Sequence, residues 1–326
     1  MTAIRRFANP ADLPPDLRGG VVAIGNFDGV HRGHLAVLDE AVQRARAERR
    51  PLLVLTFEPH PRDHFRPAEP LFRLTPAPLK ARLLGLAGVD AVVEMAFDAK
   101  LAETRAADFV QRVLVEGLGA AHVVTGFDFH FGQGREGGPA YLREAGERLG
   151  FGVTCIEAFG DEGGETVSSS RIRELLSQGE VAEAAGQLGY RFTVEEEVTH
   201  GQKLGRTLGF PTANMALPAG TALRHGIYAV RLREPDGTLH DGVASFGRRP
   251  TVEDDGRPLL ETYVFDYAGD LYGKTCTVSF FGYLRPELKF DGLDPLVAQM
   301  NRDAEEARAL LAGVRPLSEA DLALGF

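Results

Sequence analysis

The sequence predicts an α/β unit with a mostly parallel, Rossmann-like sheet, followed by a compact antiparallel β-barrel and one closing helix. Three observations carry this expectation. Short apolar runs alternate with segments of helical period through the earlier part of the chain. Near residues 182–189 that rhythm gives way to short runs of period-two alternation broken by turn residues. Finally, Leu296, Met300, Ala304, Ala307 and Leu311 recur at mostly three- or four-residue spacing, the core face of a helix expected over about 295–312. The change of texture sets the expected division into domains 1–185 and 186–326, and 326 residues suffice for two separate cores.

The elements follow in order. Residues 1–20 are rich in proline and read as an irregular lead-in. Residues 21–25 form a buried strand, and Leu35, Leu38, Val42 and Ala45 mark a helix from about 34 to 50. A second strand at 52–57 is stopped by Glu58-Pro59-His60-Pro61. A helix at 79–87, a strand at 91–93, a helix at 105–116 and a strand at 121–125 complete the pattern. Buried strands alternating with helices imply a sheet covered on both faces, with ligands beyond the carboxyl ends of its strands. The barrel strands are expected at 190–198, 226–233, 241–247, 259–267 and 274–282.

Composition narrows the function classes. Hydrophobic content of 44% and charged content of 25% are those of a soluble globular protein. With 36 basic against 46 acidic residues the net charge is −10, which argues against broad nucleic-acid binding. No apolar run approaches a membrane span and the N-terminus lacks a signal-peptide core, so a cytoplasmic protein is expected. Cys155 and Cys276 are far apart and read as core filler in strands.

The chemistry-bearing stretches sit at turns. In the run 25–34, GNFDGVHRGH, a strand, a glycine-containing turn and a helix start meet, pointing backbone N–H groups at one spot suited to phosphate. His31 and His34 are three apart, so both rings can project on one side, and Gly33 between them leaves room for a ligand. The run GFDFHFG, 126–132, is either an edge segment with one wet face or a cleft lining in which Asp128 bonds a base or ribose. Ser168-Ser169-Ser170 reads as a helix cap, but Arg171 and Arg173 in the next turn oppose the helix dipole unless an anion binds there.

In the second half, the stretch from His200 to Asn214 is glycine-rich without being a Walker A loop, and Gly201, Lys203 and Gly205 could wrap phosphates. Thr212 and Asn214 read either as part of a capped turn or as neutral oxygen ligands for Mg²⁺. Glu261 is either a solvated strand-start residue or a base for an attacking hydroxyl. Residues 269–274 and 284–290 read as a hairpin and a basic loop, or as a lid on an aromatic ligand.

Taken in order, the motifs GNFDGVHRGH, TFEPHP, GFDFHFG, SSSRIR, GFPTAN, GDLYG and LRPELKF make the chain closely resemble the bifunctional bacterial riboflavin kinase/FAD synthetase family along nearly its full length. The resemblance implies an FMN adenylyltransferase domain and a riboflavin kinase domain. Their substrates or products would be ATP, riboflavin, FMN and FAD, with Mg²⁺ as cofactor and neither nucleic acid nor membrane as partner; self-association is left open. It implies that Gly25, Phe27, Asp28, His31, His34, Asp128, Ser168, Ser169, Arg171 and Arg173 form the transferase nucleotide site, with His31, His34 and Arg171 stabilising charge. For the kinase it implies Gly201, Lys203, Gly205, Phe210, Pro211, Thr212 and Asn214 at the nucleotide, with Thr212 and Asn214 on Mg²⁺. Glu261 would be the base, and Glu261, Arg285 and Phe290 would lie on the flavin side. Ser245 and Phe246 stand where many relatives have asparagine and isoleucine. Rival readings are a chain with one active half, or a flavin- and ATP-sensing protein without turnover.

Overall fold

The structure, a computed structural model, describes residues 4–200, 210–218, 220–248 and 258–326. The chain divides into two compact units, residues 1–168 and 169–326.

The first unit is built on six parallel strands: β1 (Arg5–Phe7), β2 (Val21–Ile24), β3 (Leu52–Glu58), β4 (Ala91–Ala96), β5 (His122–Gly126) and β6 (Gly152–Ile156), in the order β1-β4-β3-β2-β5-β6. Its helices are α1 (Arg32–Glu48), α2 (Pro61–Phe65), α3 (Ala77–Leu86), α4 (Ala99–Ala102), α5 (Ala106–Asp108), which runs into a π-helical stretch Phe109–Leu118, and α6 (Pro139–Leu149). Alternate strand residues Val22, Ile24, Leu53, Leu55, Val93 and Val123 share a core with Phe109, Val113, Leu114 and Leu142. The intervening Val21, Ala23, Val54, Val92 and Val124 are equally buried, and α1 packs along β2 and β5. Both faces are therefore covered, which is why the strands read as continuous apolar runs. The lead-in is less irregular than expected, since Arg5–Phe7 pairs with β4 as an edge strand. Three residues carry no periodicity, so only the neighbouring strand reveals it.

In the second unit, α7 (Ser169–Gln178) and α8 (Val181–Leu188) pack on one another and group with the barrel. The strands are β7 (Thr193–Glu197), β8 (Thr212–Ala216), β9 (Gly226–Arg233), β10 (Leu239–Gly247), β11 (Leu259–Val264) and β12 (Thr275–Arg285), antiparallel in the order β7-β12-β9-β10-β11-β8. A bridge from Thr199 to Asn214 brings the two ends of the sheet together, giving a nearly closed barrel. Of the two readings left open for Thr212 and Asn214, β8 removes the capped turn, since both residues lie in a strand. Alanine and asparagine favour strands poorly, and pairing with β11 overrides that preference. The closing helix runs Leu293–Gly313 and is followed by a short terminal helix Glu319–Gly325. Ala304, Ala307 and Leu311 are buried against Ala229 and Val243 on the outer face of the barrel. Cys155 lies in β6 and the fully buried Cys276 in β12.

Candidate active sites

In the first unit, β2 delivers the chain at its carboxyl end into the turn 25–30. There the strand order reverses: the chain steps from β2 outward to β3 and β4, then returns to β5 on the other side of β2, where Ile24 pairs with Thr125. That arrangement opens a crevice beyond β2 and β5. Phe27 (φ +49°) and Val30 (φ +37°) hold left-handed backbone conformations beside Gly29 (φ +94°). Both side chains are buried, and their packing compensates a conformation unfavourable to any residue with a Cβ.

Buried charges fix this turn from behind. Asp28 accepts hydrogen bonds from the backbone N–H groups of Thr75 (3.1 Å) and Leu74 (3.3 Å), and the Arg73 guanidinium lies 3.5 Å away. The Gly29 N–H donates to the Thr75 hydroxyl at 2.8 Å. Arg73 forks onto Glu58 through two 2.8 Å bonds. Lys80, with no exposed side-chain surface, donates to Glu58 (2.6 Å), to the Thr56 hydroxyl (3.2 Å) and to the Asn26 carbonyl (3.4 Å). Burial lowers the Lys80 pKa, opposed by Glu58. Burial raises that of Glu58, but Arg73 and Lys80 outweigh it and leave the carboxyl below its usual range.

His31 is the N-cap of α1, its Nδ1 accepting the His34 backbone N–H at 3.3 Å. In the neutral ring the proton therefore sits on Nε2. The two imidazoles stack with centroids 3.6 Å apart and planes 17° apart. The His34 Nδ1 is sealed from solvent without a hydrogen-bond partner. Burial, then His31 and Lys80, holds the His34 pKa well below its ordinary value. His34 is thus a neutral imidazole at pH 7. The pair offers directional hydrogen bonding beside a helix N-terminus that supplies positive potential. Gly33 has a packing role as well. A Cβ there would sit 3.2 Å from the His31 ring and 3.3 Å from the Val167 carbonyl, so its missing side chain admits the histidine ring.

Val167 immediately precedes the serine run and lies in a hairpin bridged at Gly160 and Thr166. Arg32 latches that hairpin through two bonds to Glu162, at 2.8 and 2.5 Å. The partly buried Ser168 thus follows directly on a residue beside the histidine turn. Ser169, Arg171 and Arg173 begin α7 in the second unit, and Arg171 pairs with Glu174 at 2.9 Å. At the end of β5, Phe129 and Phe131 pack into the core, while Phe127 and Asp128 are exposed.

In the barrel, strand register makes the site. Asn214 pairs with Glu261, Glu261 with Ser245, Ser245 with Ile227, and Ile227 with Arg285. Paired residues share a face, so one row crosses five strands. It lies on the outer face, the one the closing helix packs against; Phe246, on the other face, is fully buried in the interior. Thr212 stands two residues along β8 from Asn214, whose amide nitrogen donates to the Thr212 carbonyl (3.1 Å) and approaches its hydroxyl (3.4 Å). Arg285 forks onto Asp303 of the closing helix at 2.7 and 2.6 Å, and Gln299 adds a 2.8 Å bond to the same carboxylate. Phe210 is buried edge-on to Tyr263 at 4.9 Å, Pro211 is exposed and Phe290 half-buried. Gly201, Lys203 and Gly205 lie outside the described residues. Among the described residues no group of three His, Cys, Asp or Glu side chains is placed to hold a metal ion.

Comparison with known proteins matches each half separately. The family described as FAD synthetase matches residues 13–171, and that described as riboflavin kinase matches 188–311. The bifunctional riboflavin kinase/FMN adenylyltransferase of Pseudomonas fluorescens is 43% identical over 92% of this chain and 96% of its own length. The protein of the same description from Escherichia coli K12 is 39% identical, over 97% of this chain and its whole length. The chain belongs to the bifunctional riboflavin kinase/FMN adenylyltransferase family. A crystal structure described as a macrolide-efflux protein from Streptococcus pneumoniae shares the fold with a TM-score of 0.82 and 30% identity, over 94% of this chain and 99% of that one. Among the described residues no helix is long and apolar enough to cross a membrane.

Set against this family's motifs, the structure brings His31 and His34 into contact, and Asn214 and Glu261 into register. It turns Asp28 and Arg285 toward protein partners. The sequence reading passed over Lys80, Arg73, Thr75 and Asp303. One signal was present: Lys80 interrupts the apolar face of Leu79, Leu83 and Leu84, and a lysine there needs a buried partner.

Proposed function

We propose that the histidine turn is the adenylyl-transfer site and the Asn214–Glu261 row the kinase site of this bifunctional riboflavin kinase and FMN adenylyltransferase. In functional terms the first domain spans 1–185 and the second 186–326, because the SSSRIR run continues the transferase motifs although α7 packs with the barrel. The observation that carries the reading is the stacked histidine pair at the entry of α1, beyond β2 and β5, with its His34 ring kept neutral by burial.

In the first domain an FMN phosphate oxygen attacks the α-phosphorus of ATP, forming the new P–O bond as pyrophosphate leaves. A phosphate monoester needs little activation, so the domain's task is alignment and charge stabilisation. His31 donates from Nε2 toward the triphosphate, and His34 adds a second polar contact. Gly25, Phe27, Asp28 and the Ser168–Ser169 turn shape the nucleotide cradle, with Asp128 at the base or ribose.

In the barrel, Glu261 takes the proton of the terminal ribityl hydroxyl as that oxygen attacks the γ-phosphorus and ADP leaves. Phe210, Pro211 and the 201–205 run flank the nucleotide, and Arg285 and Phe290 flank the flavin. The donor set suits Mg²⁺: a hydroxyl and an amide oxygen next to a carboxylate are hard ligands for an ion that keeps waters and binds phosphates. Thr212 and Asn214 would hold it through a hydroxyl and an amide oxygen. When bound, the cation spreads the phosphate charge. The partners are these small molecules, without nucleic acid or membrane, and the cytoplasm is where they are met; the net charge of −10 and the bacterial relatives support that reading.

A time course from riboflavin and Mg²⁺-ATP tests both halves. FMN and ADP are expected first, then FAD and pyrophosphate. No FMN from riboflavin would sink the kinase site, and no FAD from supplied FMN the transferase site.

A further inference from the structure

Lys80 has no exposed side-chain surface, yet it joins three pieces of the wall behind the histidine turn. Its ammonium reaches the Asn26 carbonyl at the start of the turn, the Thr56 hydroxyl in β3 and the Glu58 carboxylate at the end of that strand. Thr56 in turn donates to the same Asn26 carbonyl at 3.1 Å. Asn26 precedes the left-handed Phe27, and further ties on the turn run from Asp28 and Gly29 to the 73–75 segment and from the Gly25 N–H to the Leu55 carbonyl. An ammonium with no exposed surface is costly to bury, and its ion pair with Glu58 and its bonds to Thr56 and Asn26 are what offset that cost.

We propose that Lys80 is a positioning residue for adenylyl transfer: from behind the sheet edge it holds the Asn26 carbonyl and the 27–30 turn in the shape that sets the histidine pair against the triphosphate. The inference rests on the reading of the histidine turn as the transferase site. Lys80 contributes a second effect through charge, since its ammonium is one of the groups that keep His34 neutral.

The substitution Lys80→Met preserves length and lets the core close. Glu58 keeps its fork from Arg73, so no carboxylate is stranded. FAD formation from FMN is expected to fall about 10- to 100-fold in kcat, the scale of a misplacement of about 1 Å, with a smaller change in KM for ATP. FMN formation by the barrel of the same chain should stay unchanged. The acidic limb of the pH–rate profile for FAD formation should move upward, because His34 loses a positive neighbour. Thr56→Val, which removes one of the three acceptors, should give a weaker loss with the same pH displacement absent.

FAD turnover by K80M close to that of the parent would overturn the proposal. So would a loss accompanied by a lowered melting temperature and an unmoved pH profile, which marks a purely structural lysine. H34A run in parallel separates the two readings. If H34A makes FAD normally, the site assignment itself is wrong; if H34A is impaired while K80M is not, only the role of Lys80 fails.

Discussion

The two units hold the side chains of their candidate sites by different means, and the difference follows from where each candidate site sits. The first unit places its histidines on a loop and a helix entry, which a sheet does not hold in register. Its shape comes from Asp28, Arg73, Glu58 and Lys80, charges withdrawn from water and bonded to one another and to the backbone behind the turn. The barrel needs no such scaffold, because ladder hydrogen bonds already align Asn214, Glu261, Ser245 and Arg285 in one row. Its one buried ion pair near the row, Arg285 with Asp303, joins the closing helix to β12 and does not shape a loop. Charge positions the loop site; register positions the strand site.

Substitutions in each half should therefore fail in different ways. The largest effect is expected for Glu261→Ala: removing a general base costs about 10²- to 10⁴-fold in FMN formation, with FAD formation from supplied FMN untouched. Full FMN production by a folded E261A protein would end the base assignment. Next, His31→Ala removes the proposed donor to the ATP triphosphate and should lower FAD formation about 100-fold, leaving the kinase rate intact. Equal losses in both products would show that the halves are not independent.

A smaller effect, in stability, is expected for Asp303→Ala, which strips the carboxylate from a half-buried guanidinium at about 2 kcal/mol. Denaturant unfolding followed through kinase activity measures it, and a raised KM for riboflavin should accompany it because Arg285 loses its anchor. An unchanged midpoint would mean that the pair is not what joins helix and strand.

The smallest effect comes from pH. An unfolded His34 takes up its proton near its ordinary pKa of 6.5, whereas the folded one does so only at lower pH. The unfolded state therefore binds more protons below pH 6.5, and stability falls as pH drops through that range, by at most about 1.4 kcal/mol per pH unit for one such group. Unfolding at pH 7.5, 6.5 and 5.5, read through FAD-forming activity, should show a shallower slope in His34→Gln than in the parent. Identical slopes would assign the pH dependence to other groups.

Much of the fold was legible because burial on both faces writes itself as apolar runs. Val21–Ile24 and Leu52–Glu58 are examples, and the barrel strands announce themselves by alternation between turn residues. Thr212–Ala216 was not, because its strand character comes from β11, and Arg5–Phe7 was too short to carry a period. At the sites, the spacing of His31 and His34 correctly foretold a shared side. That Asp28 faces inward to residues 73–75, and that Gly33 makes room for a ring, depended on segments remote in sequence.

The sequence by itself determined which residue types stand at the ends of which strands, since periodicity and turn chemistry are local properties of the chain. Only the tertiary structure decided the protonation of His34, the partners of Lys80 and the row that joins Asn214 to Arg285. Desolvation, ion pairing and strand register are properties of neighbours in space, and the chain brings those neighbours from dozens of residues away.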